Sequence, residues 1–357
     1  MIQIQTRHLL WFSYIFTFLN FVILYFIIGN RFGTERSPLQ PDSWIYLCRA
    51  IDFSGINEND TYRLLSELSA RLGDGSMKPP ECGDTPVAYK GRILLPILLV
   101  PFIAIGQWWL IGFPNLLAVL VLVKIWFLMM NSGDFITFRS AIFLFLPLVS
   151  IQIFPQMLLV LSDTFTVLGF FLAILLSRRM TNSIAVIPLV MLVEALMMLS
   201  RQSWPFFVAC NIYISLFLAR QISVRQRLLF LAPFISFPLF WGQFWDGEAS
   251  SSFMASVNLR DYFSGIMQGL GKDFIDTLKY LDFGTLVIVL VLLFNLLRIQ
   301  KLKEDFLLLS LIAVSLAIQG RVFVADGSFG QNWRYWLIPL MYSQWLFLER
   351  IFFSKTK

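Results

Sequence analysis

The chain has 357 residues, 57% of them hydrophobic and only 14% charged, with a formal net charge of +6 and a mean hydropathy of +0.72. A water-soluble domain carries about 25% charged residues, so these figures exclude a soluble enzyme or binding module and predict a polytopic membrane protein. The positive charges lie in short connections between apolar segments, where they set orientation, so they do not indicate a nucleic-acid-binding face.

In chain order, the first apolar segment, 9–28, has no small-residue cleavage site after it and reads as a retained helix. A polar insertion follows at 30–92, the longest stretch available for aqueous chemistry. It opens with Pro41-Asp42-Ser43-Trp44-Ile45-Tyr46. Within it, 42–53 and 60–72 are predicted to be short amphipathic helices, the second from the helical spacing of Leu64, Leu65, Leu68 and Leu72. Gly73-Asp74-Gly75 and Pro79-Pro80 predict irregular chain after them. Cys48 and Cys82 both fall in this insertion, and a disulfide or two free thiols fit equally. Three cysteines without a Cys-x-x-Cys pair and one histidine, His8, argue against a His/Cys metal centre.

The insertion closes with Tyr89-Lys90-Gly91-Arg92-Ile93-Leu94-Leu95-Pro96. The next stretch, 93–111, is apolar, and whether it crosses decides the orientation of everything after it. Further spans of roughly 20 residues are predicted at 113–130, 139–156, 160–177, 183–199, 203–219, 226–244, 284–298, 306–322 and 335–351. If 93–111 is re-entrant or interfacial, the connections on the N-terminal side hold thirteen Lys or Arg against four acids. They include Arg7, Arg139, Arg178, Arg179, Arg298 and Arg350, while the acid-rich loop 245–283 falls on the other side. That asymmetry is what the positive-inside rule requires. Pro96, Pro101 and Trp108-Trp109 suit a short bent segment at the outer interface. The expected fold is therefore all-α and integral to the membrane: one transmembrane domain over 1–357, a bundle of about ten spans with both termini cytoplasmic. Its outer loops are 30–92, with amphipathic helices, and 245–283.

The polar groups that could carry chemistry gather on the outer side. Asp42 lies just past the first span, and Asp163 opens the fourth. Glu194 is inside the fifth span with Arg201 two turns on, on one helical face. Arg334 and Tyr335 open the last span, within Asn332-Trp333-Arg334-Tyr335-Trp336. Ionisable groups at membrane depth are costly and usually face a cavity or a partner. Structural roles compete at each position. Asp42 and Asp163 suit helix N-caps, and Glu194 with Arg201 suits an ion pair. Lys90 and Arg92 could snorkel to headgroups, and Arg334 could anchor on neighbouring tryptophans. The convergence of two carboxylates with several cations is the stronger signal, because phosphate needs cations and an acceptor hydroxyl needs a base.

On these residues the chain resembles the GT-C superfamily of polytopic membrane glycosyltransferases. An outer loop opening with Asp42 and with Tyr46 a few residues on is similar to that family's first loop. Tyr89 to Pro96 looks like the Y-x-x-R-x-L-x-P stretch of several bacterial members, and Leu161-Ser162-Asp163-Thr164 like their second acidic position. Ser200-Arg201-Gln202 and Trp333-Arg334-Tyr335 resemble the arginine positions before later helices. The resemblance implies a bacterial inner-membrane enzyme of cell-envelope polysaccharide synthesis, its site facing the periplasm or exterior. Its partners would be a polyprenyl-phosphate sugar donor, a glycan or lipid-linked acceptor and membrane lipids, with no nucleic acid. Asp42 would be the catalytic base. Lys90, Arg92, Arg201 and Arg334 would bind the donor phosphate, and Asp163 would orient the acceptor or assist a cation. Tyr46, Tyr89, Glu194 and Tyr335 would support them. The paired acidic motif of better-known members is replaced here by Asp42-Ser43-Trp44. No metal site is therefore assigned, and a divalent cation, Mg or Mn, is an option only. The alternatives are an O-antigen-type polysaccharide polymerase and, behind it, a lipid or glycan transporter.

Overall fold

The computed structural model describes residues 3–28, 41–72, 82, 92–129, 135–137, 150, 157–159, 163–179, 183, 185–199, 204–218, 223, 225–226, 229, 259–279, 282–299, 302–326 and 333–350. These residues form twelve helices and one pair of three-residue strands. Two of the helices, Thr6–Ile27 and Trp108–Met129, are long and apolar enough to cross a membrane. Leu94–Ile105, Val186–Met197, Pro205–Leu218 and Phe283–Leu297 are shorter apolar helices.

Helix α1 (Thr6–Val22) runs on as a π-helical turn to Ile28. Its buried residues Leu9, Ser13, Thr17 and Phe21 recur every fourth position and make one stripe. Trp11, Phe12, Ile15, Phe18 and Leu19 are exposed on the rest of the surface. A helix that is apolar all round belongs to a core or a membrane. Helices α2 (Pro41–Ser54) and α3 (Glu58–Leu72) follow, within two residues of the predicted bounds. Helix α4 (Leu94–Ile105) has only 12 residues and ends at Gly106, whose φ of 73° is the left-handed cap that glycine supplies without strain. A helix that long spans about 18 Å, well short of the ~30 Å hydrocarbon core. A 3-10 stretch, Trp108–Gly112, then leads into α5 (Phe113–Met129), with Pro114 in the first turn, where no backbone N–H is needed.

Strand β1 (Gln3–Gln5) pairs antiparallel with β2 (Phe135–Thr137), Gln3 opposite Thr137. The start of α1 and the chain just past α5 therefore meet at one end of the bundle, the strand end. Helix α1 leaves that end and α5 returns to it. Helix α6 (Asp163–Arg179) lies parallel to α5: Asn115 Nδ2 donates to Thr164 Oγ1 at 3.4 Å near the two helix starts. Helices α7 (Val186–Met198) and α8 (Trp204–Tyr213) pack on α6. The loop predicted at 245–283 contains a 21-residue helix, α9 (Leu259–Lys279), which packs on α11 (Leu302–Asp326). Helices α10 (Phe283–Leu297) and α11 both pack on α12 (Trp333–Leu348), which is buried at every position from Trp336 to Leu348. The predicted spans at 139–156 and 226–244 lie almost wholly outside the described residues. The other eight coincide with helices.

Charges at the strand end are matched within the chain. Arg178 ends α6, with Glu349 at 3.5 Å and the Trp345 ring 4.2 Å beneath its guanidinium. Burial pulls the Arg178 guanidinium down, but Glu349, Tyr213 and Tyr342 outweigh it and hold the group above its ordinary range. Arg350 pairs with buried Asp305, and its other amine donates to Asn295 Oδ1 at 3.3 Å. Asn295 in turn donates to Ser343 Oγ at 2.9 Å. One polar network thus joins the last turns of α10 and α12 to the first turn of α11.

Candidate functional site

The end opposite the strands is built on α2. Pro41 is tolerated at its first position, and Trp44, Leu47, Ala50 and Ile51 give it a buried face. Helix α2 packs on α4, which offers Leu95, Leu99 and Ile103, one turn apart. A Cys48–Cys82 disulfide, Cα to Cα 5.3 Å, ties α2 to the chain leading into α4. This resolves the alternative the sequence left open, because pairing depends on distance and the fold supplies it. Arg49, on the same helix, is lowered by burial, against which Asp52 and Tyr46 act.

Two of the expected site residues meet here. Arg92 Nη1 donates to the hydroxyl of Tyr46 at 3.4 Å, a long hydrogen bond, and Tyr46 is buried. Asp42 precedes Tyr46 by one turn of α2, and its side chain lies outside the described residues. Two residues after Arg92, Leu94 N donates to Leu199 O at 3.0 Å. That bond joins the start of α4 to the end of α7. Arg201 itself, Lys90 and Tyr89 lie outside the described residues. Arg334 and Tyr335 are in the first turn of α12, with side chains outside the described set. Just after them, Trp336 Nε1 donates to Gln319 Oε1 of α11 at 3.3 Å.

Asp163 is the first residue of α6, buried, in the position favoured for an acid by the helix dipole. Its neighbour Thr164 donates to Met157 O at 2.5 Å, and Tyr25 of the π turn after α1 donates to Leu158 O at 3.0 Å. The turn before α6 is thus held against the far end of the first helix. Glu194 differs from expectation. Helix α7 ends at Met198, so the register that would place Glu194 and Arg201 on one helical face stops short of Arg201. The observed partner of Glu194 is Asn211 of α8, whose Nδ2 donates to Oε2 at 2.8 Å, and both side chains are buried.

A further buried carboxylate, Asp282, was passed over in the sequence as part of an acid-rich loop. It caps α10, accepting from Thr285 N at 3.0 Å, from Thr285 Oγ1 at 2.6 Å and from Ser150 Oγ at 3.3 Å. The signal was present: an acid directly before an apolar run, with threonine three residues on. Among the described residues no group of three or more His, Cys, Asp or Glu is placed to hold a metal ion.

Comparison with known protein families, with curated proteins and with solved structures finds no match.

Proposed function

We propose that the chain is a multi-pass membrane glycosyltransferase of about ten spans, with its site at the end opposite the strands. The strand pairing supports the orientation: with β1 and β2 at one end, the chain between them crosses an even number of times, and among its described helices α1 and α5 are long enough to cross while α4 has 12 residues. The arginine-rich connections then share the cytoplasmic side. The disulfide fits an opposite end in an oxidising compartment.

The observation that carries the catalytic reading is the joining of α2, Arg92 and the end of α7 by the Tyr46–Arg92 and Leu94–Leu199 bonds. In the reaction Asp42 takes the proton of the acceptor hydroxyl, whose oxygen attacks the anomeric carbon of a polyprenyl-phosphate sugar. The bond from that carbon to the phosphate oxygen breaks, the sugar inverts, and the lipid phosphate leaves as an anion. Arg92, Lys90, Arg201 and Arg334 hold that anion by charge-assisted hydrogen bonds, which strengthen as charge develops on the leaving oxygen. Asp163 orients the acceptor. A transporter is the second reading, favoured by one feature, the buried Glu194–Asn211 pair within α7 and α8.

The test restores a deletion strain with the intact gene or with Asp42→Asn and weighs surface glycans and lipid-linked intermediates by mass spectrometry. Asn keeps the shape of Asp but cannot act as the base. The expected result is loss of one discrete sugar with build-up of its lipid-phosphate donor, the variant turning over about 10²–10⁴ times more slowly. Collapse of glycan chain length identifies a polymerase. Unchanged glycans in the deletion strain remove the transferase reading, and full rescue by the Asn variant removes Asp42 from the chemistry.

A further inference from the structure

Helix α9 has three distinct sides. Gly265, Ile266 and Gly269 are buried against α11. A Cβ on Gly269 would lie 2.5 Å from Gln319 Nε2, so the two helices approach closely there. A second side is exposed and carries polar groups in its first half, where Gln268 Nε2 donates to Ser264 Oγ at 2.9 Å, with exposed Ile275 further along it. The third side is apolar and uncovered, with Phe263 62% and Met267 69% exposed one turn apart.

We propose that this third side of α9 lies in the outer lipid leaflet, making α9 an interfacial helix clamped to the bundle by α11. Its place in the fold puts it at that boundary. Helix α11 runs from Asp305 at the strand end towards the opposite end, and Gln319, which meets α9, is past its middle. The last residue of α9, Lys279, is three residues before Asp282, which caps α10 at the opposite end. Apolar α10, which follows α9 in the chain, also has exposed Phe283, Leu290 and Leu293. A helix divided between apolar and polar faces, bearing acids and bases such as Arg260 and Asp261, is too charged to cross but suits burial of one face about 5–10 Å into the headgroup–acyl boundary. Through Gln319, which also accepts from Trp336 Nε1, this lipid contact reaches the first turn of α12.

The inference depends on the membrane seat of the chain and not on the transfer reaction. Phe263→Cys, Met267→Cys, Ser264→Cys and Gln268→Cys are made in the full chain, labelled with a bimane fluorophore and reconstituted in phosphatidylcholine nanodiscs. Native thiols add little background, because Cys48 and Cys82 are bonded and Cys210 is buried. Lipids brominated on the acyl chains are expected to remove most of the fluorescence at 263 and 267 and little at 264 and 268, with aqueous iodide giving the reverse. Equal iodide quenching at all four positions would overturn the proposal. So would a disulfide between two copies of the Met267→Cys chain, which would make a second copy the occupant. Failure of the protein to enter nanodiscs would overturn the membrane seat itself, whereas loss of the transferase reading alone leaves the quenching pattern as stated.

Discussion

The two ends of the bundle carry the same kinds of side chain and use them differently. At the strand end arginine meets carboxylate: Arg178 with Glu349 and Arg350 with Asp305, the first also seated on Trp345. At the opposite end Arg92 reaches a neutral tyrosine hydroxyl, and the buried acids Asp163 and Asp282 stand at helix starts. Charge neutralised inside the chain fixes helix ends but has little left for a ligand. The strand end is built as a clamp, and the opposite end is where the proposed site lies.

Breaking the clamp has the largest expected effect. Arg350→Ala leaves buried Asp305 without its cation, and removing one partner of a buried pair costs about 3–5 kcal/mol. Unfolding in detergent should show that loss, while transfer per folded molecule stays at the wild-type level. A matching loss of specific activity would erase the distinction between the ends.

Replacing Cys48 and Cys82 together by serine acts on the other end. Opening the 34-residue link should lower stability by roughly 2–4 kcal/mol. The loss should be concentrated in hydrogen exchange of α2, leaving α10 to α12 protected. Uniform deprotection would mean that the two ends unfold as one unit.

The smallest effect is expected from Tyr46→Phe. It removes the acceptor of a long hydrogen bond from Arg92, about 1 kcal/mol. The donor KM should rise about fivefold at unchanged kcat, since that energy corresponds to roughly this factor. A fall in kcat with KM unchanged would instead make the contact specific to the transition state.

How much of this was legible beforehand depended on whether the signal was local. The leucine spacing of 60–72 gave α3 nearly to its ends, and Pro96, Pro101 and the Trp108-Trp109 pair fell in a short helix and the 3-10 stretch after it. Helix α9 was missed because Arg260, Asp261, Lys272, Asp273 and Asp276 break its apolar run, so it read as acidic loop. Its signal is a face, which a linear count of charges does not register. Asn211, Asp305 and Ser150, the partners of Glu194, Arg350 and Asp282, lie 17, 45 and 132 residues away from them in the chain, and no local pattern names those pairings, whereas the cap of Asp282 on Thr285 was readable. Arg92 with Tyr46 was assembled only as a family expectation. The contact itself, across 46 residues, needed the fold.

The Cys48–Cys82 link also bears on the order in which the molecule is made. Both sulfurs belong to chain synthesised before α4, so the bond can close while most of the bundle is still untranslated. Helix α2 would then be a finished platform when α4 emerges, and Leu95, Leu99 and Ile103 would dock onto an existing surface. A helix of only 12 residues would then meet a partner face already formed, instead of having to organise one as it emerges.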